Sequence, residues 1–264
     1  MSGHEEYDSL PGIRWSLLRN MATSPLHYRH ALENGRPDTS AMLLGRATHC
    51  AVLEPERFPI DFVVFDGARR GEPWQKFLDA NPNRDILTRP EYDKCLAIKR
   101  SVLKHPEAKR LLRTGWKEHI YRWRDEPSGL MCKLRADLVK RQSVWDLKTT
   151  RSINEHDFQR TVATYLYHGQ AAYYLAGTKR REFGFIAVES EEPHDVAVYE
   201  LDAEALGVGE DIVHDLLGRV AACSKAKRWP GRFPAMTPLS LPGWAIPEYD
   251  DEEFIISGLK LRTA

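Results

Sequence analysis

Cysteine is scarce and scattered in this chain of 264 residues. No Cys-x-x-Cys pair occurs, and the four cysteines are Cys50, Cys95, Cys132 and Cys223. Such spacing argues against a zinc ribbon, an iron–sulfur cluster and a disulfide framework. We therefore expect free thiols, most of them buried.

Long hydrophobic runs and a secretion signal are also missing from the sequence. No stretch approaches the roughly 18 consecutive apolar residues that a membrane-spanning helix requires. The first residues, MSGHEEYDSLPG, lack the basic and apolar regions of a signal peptide. These absences predict a protein that does not associate with membranes and stays in the cytoplasm.

Neither sign of charge is in excess, since 38 Lys and Arg residues balance 38 Asp and Glu residues. Taken alone, this balance weighs against a polyanionic partner. The charges are unevenly placed, however, with many basic residues between positions 99 and 151 and an acidic EYDDEE run near the C-terminus. Because the local field matters more than the sum, nucleic acid stays a candidate partner. The alternative is that the basic residues belong to solvated helix faces.

The pattern of apolar residues predicts helices before and after a central sheet. Ser24 is a predicted N-cap, and the helical segment at 11–55 ends near Pro55. A short strand, DFVVF, follows, and the stretch 67–90, rich in Pro, Gly and Asn, is predicted to be irregular. Residues 91–113 are predicted to be helical.

The later part of the chain changes to a strand-like pattern. Three consecutive antiparallel strands are predicted in WKEHIYRWRD, LMCKLRADLVK and SVWDLKTT. A helix at 154–178, strands in REFGFIAVES and DVAVYEL, and a long helix at 203–228 complete the pattern. We predict one α/β domain over residues 1–264, with its core at about 115–230 and an irregular tail at 231–264.

The second and third of these strands carry acidic side chains on a predicted hairpin. A turn centred between Arg141 and Gln142 places both apolar rows on one face, including the row from Cys132 to Leu138. The same register sets Asp137 opposite Asp146, with Cβ atoms about 5 Å apart. Facing carboxylates are destabilising unless another group compensates them, and a divalent cation would do so.

Lys148 shares a face with Asp146 one pleat further along the strand. Two carboxylates, a metal ion and a lysine suit phosphodiester hydrolysis, because the cation polarises the phosphate and activates water. The lysine can orient that water or offset developing negative charge. The alternative is a fortuitous cluster of charges at the surface.

These residues resemble a known family. The segment GLMCKLRAD…VWDLKTT resembles the core of the PD-(D/E)XK nuclease superfamily, in the branch of the RecE-like exonucleases (exonuclease VIII). LLGRATHCAVLEPERF resembles a Gly-x-x-x-His helix with Gly45 and His49 in the motif positions. YLYHGQAAYYLAG resembles a Gln-x-x-x-Tyr helix with Gln170 and Tyr174, and LSLPGWA resembles the C-terminal segment. The resemblance covers most of residues 24–245.

The resemblance implies a restriction-endonuclease-like fold, in which helices flank a central mixed β-sheet after an N-terminal helical segment. It implies that Asp137 and Asp146 bind metal, with the carbonyl of Leu147 as a further ligand and His49 completing the set. Lys148 is implied as the catalytic lysine. A site built from oxygen ligands and one imidazole suits Mg²⁺, with Mn²⁺ as a substitute.

Five residues have alternative interpretations. Glu118 is the candidate for an acid on the preceding strand, and it could equally be a solvated strand residue. Gln170 and Tyr174 share a helix face and could reach DNA or the site, or the tyrosine could simply pack. His49 could be a buried histidine with a backbone partner, and Gly45 could let its helix approach the sheet closely.

The function implied by the resemblance is a Mg²⁺-dependent exodeoxyribonuclease that degrades linear duplex DNA from free ends. The implied direction is 5′ to 3′, leaving single strands for recombination. A phage origin, a single-strand annealing protein as partner and a ring-shaped homo-oligomer are further implications. The alternatives are an endonuclease or repair nuclease on the same core, and a catalytically silent DNA-binding module.

Overall fold

The computed structural model describes residues 7–35, 38–233 and 235–246, together with the backbone of three short strands between residues 248 and 261. All four cysteines lie in the described chain as free thiols. A search of the described helices finds none with the length and apolar character needed to cross a membrane.

Helices make up most of the regular structure in the described chain. They are α1 Trp15–Leu18, α2 Pro25–Asn34, α3 Ser40–Leu53, α4 Phe58–Asp61, α5 Gly71–Ala80, α6 Arg89–Lys104, α7 Pro106–Leu112, α8 Glu155–Thr164, α9 Tyr167–Thr178 and α10 Ala203–Ala226. Short 3₁₀ turns occur at Arg19–Ala22 and Gly243–Ala245.

The described strands form three separate sheets. They are β1 Phe62–Val64, β2 Asp85–Leu87, β3 Trp116–Arg124, β4 Met131–Val139, β5 Ser143–Thr150, β6 Glu182–Glu189, β7 Val196–Glu200, β8 Glu248–Asp250, β9 Glu253–Ile256 and β10 Leu259–Leu261. In the described chain, β1 pairs with β2, and β8, β9 and β10 form a small antiparallel sheet.

The central sheet has the strand order β3-β4-β5-β6-β7 among the described residues. Its neighbours run antiparallel except β5 and β6, which are parallel. Parallel strands need a long crossover, and α8 and α9 supply it. This mixed sheet with flanking helices confirms the predicted fold class.

Apolar side chains cover both faces of the central sheet. One face packs against α9, α10 and the N-terminal helices, around large buried side chains that include Tyr173, Phe183, Phe185, Leu18 and Met21. The opposite face packs against α6 and α7, around Ile98, Val102, Leu111, Trp145, Leu147 and Ile186. The sheet is therefore the middle of three layers.

The predicted helix starts agree with the capping contacts. The Ser24 hydroxyl accepts a hydrogen bond from the His27 amide at 3.2 Å, and Pro25 is the first residue of α2. α3 begins after the cap of Thr39 and ends at Leu53, just before the proline that was predicted to stop it.

Some predicted boundaries are wrong. The stretch 67–90 is not irregular, because it contains α5 and β2. Trp74 and Phe77 on α5 contact the ring of Phe65, so an amphipathic helix forms despite the abundance of Pro, Gly and Asn nearby. The helical stretch 91–113 is divided at His105, which caps α7.

The second half of the chain shows two further differences. The helix predicted over 154–178 is divided at Leu166, whose φ of 56° is incompatible with a continuous right-handed helix. The tail predicted to be irregular contains β8, β9 and β10.

Candidate active site

The hairpin of β4 and β5 is regular only next to its turn. The turn lies at Arg141 and Gln142, as predicted, and the ladder pairs beside it are Val139–Val144 and Leu138–Trp145. No further ladder pair joins the two strands in the described chain, so the predicted ladder pair of Asp137 with Asp146 does not form. Oδ2 of Asp137 instead accepts a hydrogen bond from the backbone amide of Leu147 at 2.8 Å. The strands therefore separate into a fork at the two acidic residues.

The alternation of side chains in β4 also changes at this point. Cys132, Leu134 and Ala136 belong to the core that faces α9, whereas Leu138 belongs to the core that faces α6 and α7. The prediction of one apolar row through Leu138 is wrong. The row breaks at Asp137, where the strand pairing is interrupted on both sides.

Glu118 lies opposite Asp137 on the other neighbouring strand. The β3–β4 ladder pairs Lys117 with Leu138 and His119 with Ala136, and no pair between them is formed in the described chain. Glu118 has a φ of 50°, a left-handed conformation that is unfavourable for a glutamate. Unfavourable backbone geometry of this kind concentrates at functional sites, and here it accompanies the convergence of acidic side chains.

The N-terminal segment pairs with β4 on the edge from which β5 has separated. The amide of Ile13 donates to the carbonyl of Met131, and the amide of Lys133 donates to the carbonyl of Ile13, both at 2.8 Å. The buried ammonium group of Lys133 donates to the carbonyl oxygens of Tyr7, Asp8 and Leu10 at 2.8, 3.2 and 2.7 Å. A segment distant in sequence thus helps to keep the two strands apart.

His49, Glu118 and Asp137 converge in the fork. One ligand atom of each lies within 4.8 Å of the others. His49 Nδ1 is 3.3 Å from Oδ2 of Asp137. Oε2 of Glu118 is 2.8 Å from Nε of Arg135, an ion pair that the sequence interpretation missed.

Burial dominates the electrostatics of this cluster. Desolvation, reinforced by the charge of Asp137, raises the pKa of Glu118 to about 8 even though Arg135 lowers it. Two carboxylates and one imidazole are donors that Mg²⁺ and Mn²⁺ accept, and a cation there would offset the repulsion between the acids. The donor set therefore fits the expected metal.

Asp146 and Lys148 form a second, adjoining group. Oδ2 of Asp146 lies 2.5 Å from Nζ of Lys148, and only 2% of Asp146 is exposed. Gln170 on α9 bridges the pair, because its Nε2 donates to Oδ1 of Asp146 at 2.8 Å and its Oε1 accepts from Lys148 at 3.2 Å. Nζ of Lys148 also lies 4.5 Å from the centre of the Tyr167 ring. The repulsion expected between Asp137 and Asp146 is thus relieved in part by protein groups.

The protonation tendencies of this pair follow from burial and mutual attraction. Burial raises the pKa of Asp146 to about 6, although the charge of Lys148 opposes the shift. Burial alone lowers the pKa of Lys148, but the charge of Asp146 outweighs it and raises that pKa above its ordinary value. The ammonium group is therefore charged at neutral pH.

A cavity of about 700 Å³ opens beside the cluster of His49 and Glu118. Gly45 lines it, and a Cβ added at Gly45 would meet no atom within 4 Å. The explanation that Gly45 permits close approach of α3 to the sheet is therefore wrong. Arg46 and Arg84 also line the cavity, so cationic groups lie near the acids.

The remaining predicted residues lie close to these two groups. Leu147 directs its side chain into the core beneath α6 and α7, and its amide contacts Asp137. Tyr174 is partly buried on α9, and burial together with the charge of Asp146 raises its pKa well above the ordinary value. The sequence did not identify Tyr167 as a site residue. The contact of its ring with the ammonium group of Lys148 depends on the helix break at Leu166.

The chain resembles known proteins at the level of family and of fold. Residues 15–235 match the profile of a family described as a PDDEXK-like domain of unknown function, DUF3799. A crystal structure of a candidate exonuclease from Eubacterium rectale superposes with a TM-score of 0.63 at 13% identity, covering 90% of this chain and 93% of that one. An alkaline exonuclease from Laribacter hongkongensis gives a TM-score of 0.29 at 15% identity, covering 69% of this chain and 97% of that one. A search of curated proteins finds no significant match.

A mixed sheet whose forked strands bring acidic residues and a lysine together defines the PD-(D/E)XK class of fold and site. Within that class, the chain belongs to the PDDEXK-like DUF3799 family, since the match spans most of its length. The resemblance to the PD-(D/E)XK superfamily predicted from the motifs is thereby confirmed.

Proposed function

We propose that this protein is a Mg²⁺-dependent exonuclease that hydrolyses linear double-stranded DNA. The observation that carries the proposal is the fork, where His49, Glu118 and Asp137 converge beside the ion pair of Asp146 and Lys148. The family membership and the similarity in fold to the Eubacterium rectale protein support it.

Each side chain of the fork has a proposed role. His49, Glu118 and Asp137 would hold the metal, with Asp146 and the carbonyl of Leu147 completing its ligands. When bound, the metal would polarise the scissile phosphate and lower the pKa of a coordinated water. Mn²⁺ would substitute, because it accepts the same oxygen and imidazole donors.

Lys148 is the proposed catalytic residue for the attacking water. Its ammonium group is held at 2.5 Å from Asp146 and is charged at neutral pH, so it can orient the water and offset charge gathering on the phosphate. The water loses one proton to solvent as its oxygen forms the new bond to phosphorus, the ester bond to the leaving oxygen breaks, and that oxygen takes up a proton from solvent. Gln170 fixes the relative position of Lys148 and Asp146, and Tyr174 is proposed to support this arrangement or to contact DNA.

The direction and setting of the reaction are further proposals drawn from the sequence resemblance. Degradation from 5′ to 3′ would leave a single strand for recombination, and a single-strand annealing protein would be the partner. A closed, ring-shaped homo-oligomer would keep the enzyme on one DNA between cuts. A phage-encoded protein acting in the bacterial host cytoplasm, folded as one domain over 1–264, would fit this role.

Substrate topology tests the exonuclease proposal against the endonuclease alternative. Linear duplex labelled at one end and covalently closed circles of the same sequence are incubated with Mg²⁺, Mn²⁺ or chelator. We expect loss of the linear substrate alone, with no cleavage in chelator, and phosphorothioate blocks at either end report direction. Cleavage of closed circles at a comparable rate would favour an endonuclease instead.

A pair of lysine variants tests the assignment of the site. Lys148→Ala is expected to abolish cleavage, whereas Lys76→Ala, on the exposed face of α5, is expected to leave it unchanged. Circular dichroism checks that both variants are folded. Near-normal cleavage by a folded Lys148→Ala protein would show that the active site lies elsewhere.

A further inference from the structure

The segment that follows α10, residues 229–230, is held against α2, and we call it the base of the C-terminal segment. The ring of Trp229 stacks on Tyr28, with centroids 5.5 Å apart. The amide of Leu26 donates to the carbonyl of Pro230 at 3.1 Å. The path of the chain is therefore fixed up to Pro230, next to α2.

Beyond this base, a run of large apolar side chains is exposed. We call residues 232–246 the C-terminal arm; its exposed side chains are Phe233 at 68%, Met236 at 99%, Leu239 at 98%, Leu241 at 67%, Trp244 at 73% and Ile246 at 54%. Single exposed apolar residues are ordinary, but a continuous series of them marks a contact surface.

Proline spacing disfavours long regular elements in the arm, whose described residues contain only the short 3₁₀ turn at Gly243–Ala245. Every fourth residue from Pro230 to Pro242 is proline in the sequence. Each proline fixes φ and removes a backbone donor, which disfavours a helix and a central strand alike. An apolar segment without a long helix or a paired strand is suited to lie in a groove.

A groove of suitable chemistry lies on the same chain, in a cavity of about 500 Å³ between α8, β7 and the start of α10. Apolar side chains line it, namely Phe158, Val162, Phe185, Tyr199, Leu201 and Val208. Its lining also includes four acidic residues, Glu155, Glu200, Asp202 and Glu204. We call it the acidic groove.

The charge at the start of the arm is opposite to that of the acidic groove. Basic residues precede and begin the arm at Lys225, Lys227, Arg228 and Arg232. No acidic residue occurs between Lys225 and Pro247 in the sequence. Opposite charges around an apolar contact favour correct association and fix its orientation.

The acidic groove is remote from the base of the chain's own arm. α10 has 24 residues, so its two ends are about 36 Å apart. The acidic groove lies at the first turn of α10, and the arm begins beyond the last. In the described structure Met236 and Leu239 are almost fully exposed, so the chain's own arm does not fill the groove.

We propose that the C-terminal arm of one copy binds the acidic groove of a second copy. Phe233 and Trp244 could each bury about 150–250 Å², so the six apolar side chains together could bury on the order of 800 Å². One partner of a standard interface contributes about that area. The arm and the acidic groove are different surfaces. Both surfaces of every copy are therefore occupied only in a closed assembly, either a reciprocal dimer or a ring.

This inference deepens the closed homo-oligomer of the proposed function, but it does not depend on nuclease activity. Sedimentation of the full chain in chelator should give a defined oligomer. Leu239→Asp combined with Trp244→Asp should give monomer, and so should Val208→Asp in the groove. Ile60→Asp, at an exposed apolar residue outside both surfaces, should leave the oligomer intact.

Charge reversal tests whether the two surfaces meet each other. Glu200→Arg should weaken self-association at least tenfold, and adding Arg232→Glu should restore most of it. A synthetic peptide of residues 228–246 should convert the full-length oligomer to monomer, whereas a scrambled peptide should not. Restoration and competition would both support the contact.

Several results would overturn the proposal. They are a wild-type chain that is monomeric at micromolar concentration, an oligomer that survives the arm and groove variants, and failure of the second charge reversal to restore association. Cleavage of a short linear duplex, measured on the same samples, separates this proposal from the nuclease assignment. Inactive wild-type oligomers would contradict the nuclease assignment only, and active wild-type monomers would contradict the arm contact only.

Discussion

At the scale of single residues, Glu118 combines features that each oppose folding. Its carboxylate is buried beside Asp137, its backbone is left-handed, and its pKa is raised to about 8. A residue held under such conditions by its surroundings is typical of a functional site, since stability alone would select against it.

Glu118→Gln should flatten the pH dependence of stability in chelator. A carboxyl whose folded pKa exceeds its unfolded pKa favours folding fully below the unfolded value, near 4.5, and this contribution is lost as pH rises through about 8. Wild type should therefore lose stability from pH 5 to 8.5, by an amount on the order of 1–3 kcal/mol. The variant should lose less, as measured by urea unfolding at both pH values.

Glu107→Gln is the matched control for this change, because Glu107 lies on the surface of α7. It should keep the wild-type pH dependence. A Glu118→Gln protein with the same slope as wild type would show that Glu118 does not titrate in this range.

Gln170→Ala should lower the cleavage rate more than it affects DNA binding. Gln170 touches both members of the Asp146–Lys148 pair, so its loss frees the ammonium group to move. Misplacement of a catalytic group by about 1 Å can cost about 100-fold in rate. We expect kcat to fall by that order with KM little changed. Gln75→Ala, on the exposed face of α5, should leave both unchanged. A rise in KM without a fall in kcat would contradict a positioning role.

At the scale of secondary-structure elements, much of the fold could be predicted because its signals are local. Caps such as Ser24 and the alternating pattern of the strands lie within a few residues of the elements that they define. The fork could not be predicted in this way. It depends on the joining of Ile13 to β4 and on the backbone of Glu118, and both arise from contacts between distant segments.

The site residues differ in the same way, because some could be predicted from the sequence and others depend on contacts between distant segments. The motif residues His49, Asp137 and Lys148 could be chosen from the sequence because their spacing resembles that of a family. The partners Arg135 and Tyr167 could not, since Arg135 meets Glu118 across two strands and Tyr167 depends on the helix break at Leu166. The alternating pattern predicted a ladder pair of Asp137 with Asp146, because alternation alone does not reveal where a ladder ends.

Gly45→Ala should stabilise α3 while impairing cleavage. Alanine in the middle of a helix is favoured over glycine by about 0.5–1 kcal/mol, and the added methyl group meets no atom within 4 Å. The same methyl group would protrude into the cavity beside His49. We expect a higher Tm together with a lower kcat/KM on linear duplex.

Gly218→Ala is the control for the glycine substitution, because Gly218 lies in α10 and an added Cβ there also meets no atom within 4 Å. It should raise Tm similarly and leave cleavage unchanged. If Gly45→Ala gained stability without any loss of cleavage, the cavity would not be needed for the substrate.

At the scale of the whole molecule, the acids of the fork link metal binding to global stability. Mg²⁺ that binds the folded protein but not the unfolded chain should stabilise the fold by mass action. The gain is about 2.7 kcal/mol at a Mg²⁺ concentration of one hundred times the dissociation constant. For a chain of this length the rise in Tm is roughly 2–4 °C per kcal/mol. Asp137→Asn should remove most of this rise, whereas Asp79→Asn, on the surface of α5, should keep it.

The size of the Mg²⁺ effect should itself depend on pH. Protons compete with the metal for Glu118 and Asp146, whose pKa values are raised to about 8 and about 6. Lowering the pH from 8.5 to 5.5 should therefore shrink the Mg²⁺-induced rise in Tm, and Glu118→Gln should make the remaining rise less sensitive to pH above 6. Melting curves at a fixed Mg²⁺ concentration, each paired with a chelator sample at the same pH, measure this. A rise that stays constant over this pH range would mean that the metal does not displace protons from these two carboxyl groups, and that its ligands lie elsewhere.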